Sequence, residues 1–139
     1  MFHVKQKLRP REMEQKAELR RIGQVLEAFG NPWPVEAEQK LWAFVELIRS
    51  GNQSTQLISR NDEPRLVQRH LRECLALPAT ISFKGFQRLL DLGSGAGLPG
   101  IPLAIVFPGI HFTLLEAKKK RALFLKKVQR ELELDNVEI

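Results

Sequence analysis

Residues Leu89-Leu90-Asp91-Leu92-Gly93-Ser94-Gly95-Ala96-Gly97-Leu98-Pro99-Gly100 constrain this chain more than any other stretch. A short apolar run carrying one acid passes directly into closely spaced glycines and then into a helical pattern. Glycine tolerates positive φ and places no Cβ between the backbone and a ligand. The first turn of a helix presents amides that lack intrahelical partners. Strand, glycine turn and helix in this order predict an open α/β unit with a nucleotide-sized pocket at the carboxyl end of the strand.

The pattern continues downstream. Arg88 to Leu92 reads as a strand, Leu98 to Phe107 as a helix and His111 to Glu116 as a second strand. Ala117 to Leu134 reads as an amphipathic helix, with Arg121, Leu125, Val128 and Leu132 at matching intervals and Phe124 widening the stripe. Val137 to Ile139 starts a third strand. Residues 81–139 are therefore expected to be the first part of a doubly wound α/β domain. Three parallel strands, the last a stub, leave edges unpaired, so a chain incomplete at its carboxyl terminus is expected.

Residues 1–80 read as an amino-terminal helical extension. Ile22, Val25, Leu26 and Phe29 follow one helix face, and Gly30-Asn31-Pro32 ends it. Leu41, Phe44, Val45 and Ile48 repeat the pattern. A third helix is predicted from Asn61 or Asp62, with Pro64 in its first turn, an apolar face of Val67, Leu71, Cys74 and Leu75, and Pro78 as its stop.

The bulk properties exclude some classes. The 139 residues are 43% hydrophobic and 27% charged, as in soluble single domains. No apolar run approaches the roughly 20 residues of a membrane span, and the basic start lacks the apolar stretch of a secretory signal. Cys74 is the only cysteine, so a cysteine-rich metal site or internal disulfide is impossible. A cytoplasmic monomer with no membrane partner and no metal is expected. The net charge of +6 has two foci. Lys5, Lys7, Arg9, Arg11, Lys16, Arg20 and Arg21 crowd the amino end, diluted by Glu12, Glu14 and Glu18. Lys118, Lys119, Lys120, Arg121, Lys126, Lys127 and Arg130 form the second. Charge alone leaves solvated helix faces and RNA contacts both open.

Three ligands compete for the glycine turn. An NTPase loop needs Lys and Ser or Thr after its last glycine, and here Leu98 and Pro99 follow Gly97. Gly95, Gly97 and Gly100 match the dinucleotide spacing, with Glu116 near the place of a ribose-binding acid. Asp91 favours S-adenosylmethionine instead. A carboxylate beside the turn repels a diphosphate and attracts an ammonium and a sulfonium. Glu116 can accept ribose hydroxyls in either case. Asp91 can alternatively act as a helix-capping acid.

The motif from Leu90 to Ile105, with its Gly-Leu-Pro-Gly-Ile-Pro core at Gly97 to Pro102, resembles the bacterial 16S ribosomal RNA guanine-N7 methyltransferases (the glucose-inhibited division protein B family). His111 to Glu116 resembles the second strand of that family, Lys120 to Val128 its Lys-Arg-x-x-Phe-Leu helix, and Arg69-His70 its arginine–histidine pair. Three positions differ from the family pattern. Gln56-Leu57-Ile58-Ser59 stands where Asn-Leu-Thr is usual, Glu73-Cys74 replaces Asp-Ser, and Glu116 replaces Asp.

The resemblance implies a Rossmann-like class I S-adenosylmethionine-dependent methyltransferase fold with a helical extension. It also implies methyl transfer to N7 of a guanine in 16S ribosomal RNA, with that RNA or the small-subunit particle as partner. Asp91, Gly93, Ser94, Gly95, Gly97, Leu98 and Glu116 are then the expected cofactor-binding residues. Arg69, His70, Lys118, Lys119, Lys120 and Arg121 are the expected substrate-binding residues. An inactive basic RNA-binding fragment and a dinucleotide-binding domain are the alternatives.

Overall fold

The computed structural model describes residues 7–139. His3 and Lys5, the latter part of the first basic cluster, lie outside the described residues. Helices α1 (Pro10–Ala28), α2 (Ala37–Gly51) and α3 (Arg72–Thr80) form the amino-terminal layer. Strand β1 (Arg88–Leu92), helix α4 (Gly100–Val106), strand β2 (His111–Leu115), helix α5 (Lys119–Glu131) and strand β3 (Val137–Glu138) follow. The sheet is parallel, in the order β1-β2-β3, with Leu89 opposite Phe112 and Asp91 opposite Leu114. This is the mixed α/β architecture that the alternating pattern predicts.

Local chemistry explains the helix ends. Pro10 opens α1, and the Glu12 carboxylate reaches back to the Arg9 amide at 3.2 Å. At the other end Gly30 turns at φ +80°, and the Asn31 amide donates to the Leu26 carbonyl at 2.9 Å. Leu19, Leu26, Leu41, Phe44, Val45 and Ile48 are fully buried between the helices. Val25 and Phe29, expected on the same face of α1, are instead more than half exposed. The Trp33 ring lies against Gly23, where a Cβ would stand only 2.4 Å from it.

The third helix departs from expectation. It begins as a 3-10 turn at Glu63–Arg65, widens to π geometry over Leu66–Leu71, and becomes α-helical only at Arg72. Pro78, expected as the stop, lies inside α3, which runs two residues further to Thr80, so the missing proline N–H costs one hydrogen bond near the helix end without halting the helix at that residue.

The two crossovers put α4 and α5 on one face of the sheet. Phe112, Leu114 and Val137 are buried on that side, with Leu125 and Val128 of α5 and all of α4. The amino-terminal helices pack onto this layer as its outer cover. Asn136 fastens β3 to it, since one amide nitrogen donates to the carbonyls of Ala104, Phe107 and Ile110 at 3.0–3.1 Å.

Candidate cofactor site

Between β1 and α4 the backbone passes through positive φ at Gly93 (+69°), Gly95 (+56°) and Gly97 (+95°). The glycines serve two different ends. A Cβ on Gly93 or Gly95 would meet nothing within 4 Å, so these positions present bare backbone to open space. A Cβ on Gly97 would stand 2.7 Å from Ile101 and 3.0 Å from Leu125, and one on Gly100 would stand 2.7 Å from the Asp91 carboxylate. Gly97 and Gly100 thus let α4 sit close against the sheet and α5.

Two carboxylates hold this turn together. Asp91 Oδ2 accepts the Gly100 amide at 3.0 Å, capping the start of α4. Glu116 Oε1 accepts the Gly95 amide at 2.9 Å, and its Oε2 accepts the Lys118 amide at 3.0 Å. The turn closes further on β2, where the Gly93 and Ser94 amides both donate to the Leu115 carbonyl. Burial pushes the Asp91 carboxyl above the ordinary range of an aspartate, against the lowering effect of the Gly100 amide. The amides of Lys118 and Gly95 hold Glu116 below the usual glutamate value. Both responses follow from environment, since desolvation disfavours the ion and donated hydrogen bonds favour it.

The expected cofactor residues therefore separate into groups. Gly93, Gly95 and Glu116 meet at one surface. Asp91 stands beside them, half-buried, with one oxygen engaged as the helix cap that the sequence offered as its alternative role. Ser94, also among the expected cofactor residues, turns its side chain into the fold. It is 2% exposed, and its hydroxyl donates inward to the Asp91 carbonyl at 3.2 Å. Leu98 packs partly against the core.

The expected substrate residues also separate. Lys118, Lys119 and Lys120 are exposed at the start of α5, next to Glu116, and form no ion pair among the described residues. Arg121 is instead engaged, donating to the Gln56 carbonyl at 3.2 Å. Arg69 and His70 lie on the π turn and face Asp62, with Arg69 Nη1 at 4.0 Å and His70 Nε2 at 3.7 Å from its carboxylate. Arg69 also pairs with Glu73 at 3.6 Å. His70 Nε2 is buried and has no hydrogen-bond partner among the described residues. Burial pushes the thiol of Cys74, one turn further on, up to about 12, which disfavours its thiolate.

Sequence reasoning missed the side chain that shapes the neighbouring loop. Asn52 Oδ1 accepts the amides of Leu57 and Ile58 at 2.9 and 3.2 Å, and Nδ2 donates to Glu63 at 3.0 Å. An asparagine just after a helix was its only signal. Among the described residues there is no cluster of three or more potential metal ligands, and no helix is long and apolar enough to cross a membrane.

A parallel sheet with a glycine turn after its first strand, and an acid directly after its second, defines a partial Rossmann-like α/β class. The finer assignment comes from relatives. A family model described as GidB, rRNA small subunit methyltransferase G, matches residues 37–139, and the chain belongs to this family. It is 44% identical over 101 residues to the ribosomal RNA small subunit methyltransferase G of Erwinia tasmaniensis, covering 72% of this chain and 47% of that protein. The protein of the same description from Yersinia pseudotuberculosis serotype O:3 is 37% identical over 121 residues, covering 87% and 57%. That of Serratia proteamaculans is 39% identical over 119 residues, covering 86% and 56%. The chain spans about half the length of the curated relatives it matches.

Proposed function

We propose that this chain forms the S-adenosylmethionine-binding part of an enzyme that methylates N7 of a guanine in 16S ribosomal RNA. One observation carries the choice of cofactor. Two carboxylates, Glu116 and Asp91, stand at the glycine turn where a dinucleotide fold would place a pyrophosphate, and they accept the amides of Gly95 and Gly100 at 2.9 and 3.0 Å. A phosphate there would meet two anions in place of free donors. Like unit charges ~5 Å apart repel by about 3 kcal/mol at an effective dielectric of ~20.

A cationic nucleoside fits these residues. Each oxygen of Glu116 spends one lone pair on an amide and keeps another, so ribose hydroxyls can still donate to it. Gly93 and Gly95 leave open space over the backbone for the ligand body. Asp91 places negative charge near the cationic end. When bound, S-adenosylmethionine supplies a methyl group on a positively charged sulfur. N7 of guanine carries an exposed lone pair on its major-groove edge, so no residue need remove a proton first. The work left to the chain is alignment, and Lys118, Lys119 and Lys120 stand where they can hold RNA phosphates beside Glu116.

Isothermal titration of the chain with S-adenosylmethionine and with NAD tests the cofactor. The former binds at least tenfold more tightly, and Glu116→Ala removes at least tenfold of that affinity, about 1.4 kcal/mol. Preference for NAD overturns the reading. Incubation of S-adenosylmethionine and small-subunit RNA with the protein, followed by mass spectrometry of the nucleosides, tests the reaction. N7-methylguanosine is expected.

A further inference from the structure

We propose that a cleft on the far side of the 52–65 loop, walled by Arg9, Arg11, Arg49 and Arg60, is a second docking site for the RNA phosphodiester backbone. The proposal deepens the RNA-methylating reading and rests on it. The cleft has a volume of about 320 Å³ and lies between the start of α1, the end of α2 and the segment before the π turn. A second hollow of about 390 Å³ adjoins it, shares Arg9, Glu12 and Arg49, and adds Lys7, Lys16 and Glu46.

The arginines are not consumed by the fold's own acids. Glu12 and Glu63 line the same cleft, which leaves four guanidinium groups against two carboxylates. Glu12 pairs with Arg9 at 3.2 Å, and Glu63 accepts the Asn52 amide. Arg11, Arg49 and Arg60 form no ion pair among the described residues. Arg49 is held in place at the cleft wall. Its Nη2 donates to Gln15 at 2.8 Å, and its guanidinium lies 5.6 Å from the Trp42 ring centroid. Gln15 is fully buried and donates in turn to the Pro64 carbonyl at 3.3 Å. A guanidinium fixed in this way keeps donors for a phosphate at little entropic cost, and its planar fork suits phosphate oxygens.

The mixed charge of the wall favours RNA over an anionic membrane. Arg9, Arg11 and Arg60 are exposed around the half-buried Arg49, and the two glutamates set between them on the wall oppose a flat anionic surface more than a single narrow strand that can pass along the arginines. The cleft is also linked through its loop to α5, which starts next to Glu116. The loop that walls the cleft is tied to α5 by Arg121 through Gln56, and Asn52 links Leu57 and Ile58 on that loop to Glu63 at the cleft. One strand contacting Lys118 to Lys120 can thus follow the loop to Arg60 and Arg11.

Fluorescence anisotropy of the complete chain with a labelled RNA hairpin, titrated over a salt series, tests this. Arg11→Glu with Arg60→Glu is compared with Lys126→Glu and Arg130→Glu, which make the same charge change on the exposed side of α5. The first pair weakens binding at least tenfold at low salt. It also lowers the slope of log affinity against log salt by about 1.4, two contacts at ~0.7 each for single strands. The α5 pair costs less than threefold. Arg11→Gln with Arg60→Gln gives a smaller loss in the same direction, and helical circular dichroism is unchanged in all three. Equal losses from both reversed pairs, or no loss from the first, overturn the proposal. So does binding to phosphatidylglycerol vesicles in preference to the hairpin. Titration with S-adenosylmethionine separates the two readings, since its affinity is unaffected by the cleft variants. Loss of cofactor binding in the unaltered chain sinks the proposed function and leaves the hairpin result to decide the cleft.

Discussion

The two faces of the parallel sheet meet different surroundings. On one, Phe112 and Leu114 are 2% and 0% exposed beneath α4 and α5, and the amino-terminal helices cover that layer in turn. On the other, Leu90, Leu92 and Leu115 are 57%, 72% and 48% exposed, and the register places all three side by side. Both faces are apolar, as expected of a parallel sheet that is buried on two sides. Only one has a partner among the described residues. The glycine turn is therefore built by the covered face alone, since Gly97 and Gly100 pack on Leu125, Ile101 and Leu114, which belong to it.

The largest effect that can break this comparison is on stability. Leu114→Ala empties a buried site on the covered face and costs about 2–5 kcal/mol in urea unfolding. Leu92→Ala on the bare face costs less than about 0.5 kcal/mol. Equal losses would mean that the bare face is buried in solution.

Association sharpens the same contrast. Exposed leucines grouped on one face of the sheet favour association between chains. Although the sequence suggests a monomer, the chain is predicted to self-associate in size-exclusion chromatography with light scattering. Leu90→Lys with Leu92→Lys shifts it toward the monomer. Unchanged elution would show that the face is not adhesive.

The smallest effect is on pH dependence within the turn. Glu116 is held below its ordinary value of 4.5 in the fold, so the stability it adds is complete above that value and is lost as pH falls through the lowered one. Asp91 is raised above its ordinary 3.8, so its ionisation lowers stability as pH rises from that value through the raised one. Glu116→Gln is therefore expected to flatten the acid loss of stability. Asp91→Asn removes the opposing contribution and steepens that loss. Thermal melts between pH 3 and 7 measure both slopes, and a steeper loss in Glu116→Gln contradicts the hydrogen-bond geometry of the turn.

Much of this was legible in the chain because it is local. The alternation of strand and helix from Arg88 onward follows from apolar periods, and the glycine turn follows from glycines where positive φ is required. The start of α3 was less legible, because π geometry leaves no periodic signature in a run as short as Leu66–Leu71. The same limit applies to Val25 and Phe29, which share the helical spacing of Ile22 and Leu26 yet stand 52% and 65% exposed.

The sequence by itself determined the order of elements, the place of the turn and the presence of two acids able to serve it. Tertiary structure decided what those acids hold. Asp91 meets Gly100 nine positions away, and Glu116 meets Gly95 across 21 positions. Arg49 is fixed by Gln15 across 34 positions, and one asparagine, Asn136, joins three carbonyls that lie 26 to 32 residues before it. Periodicity reports which face of an element is buried. A side chain's hydrogen-bond partner depends on which backbone group packing brings within about 3 Å, and only the folded chain sets that distance.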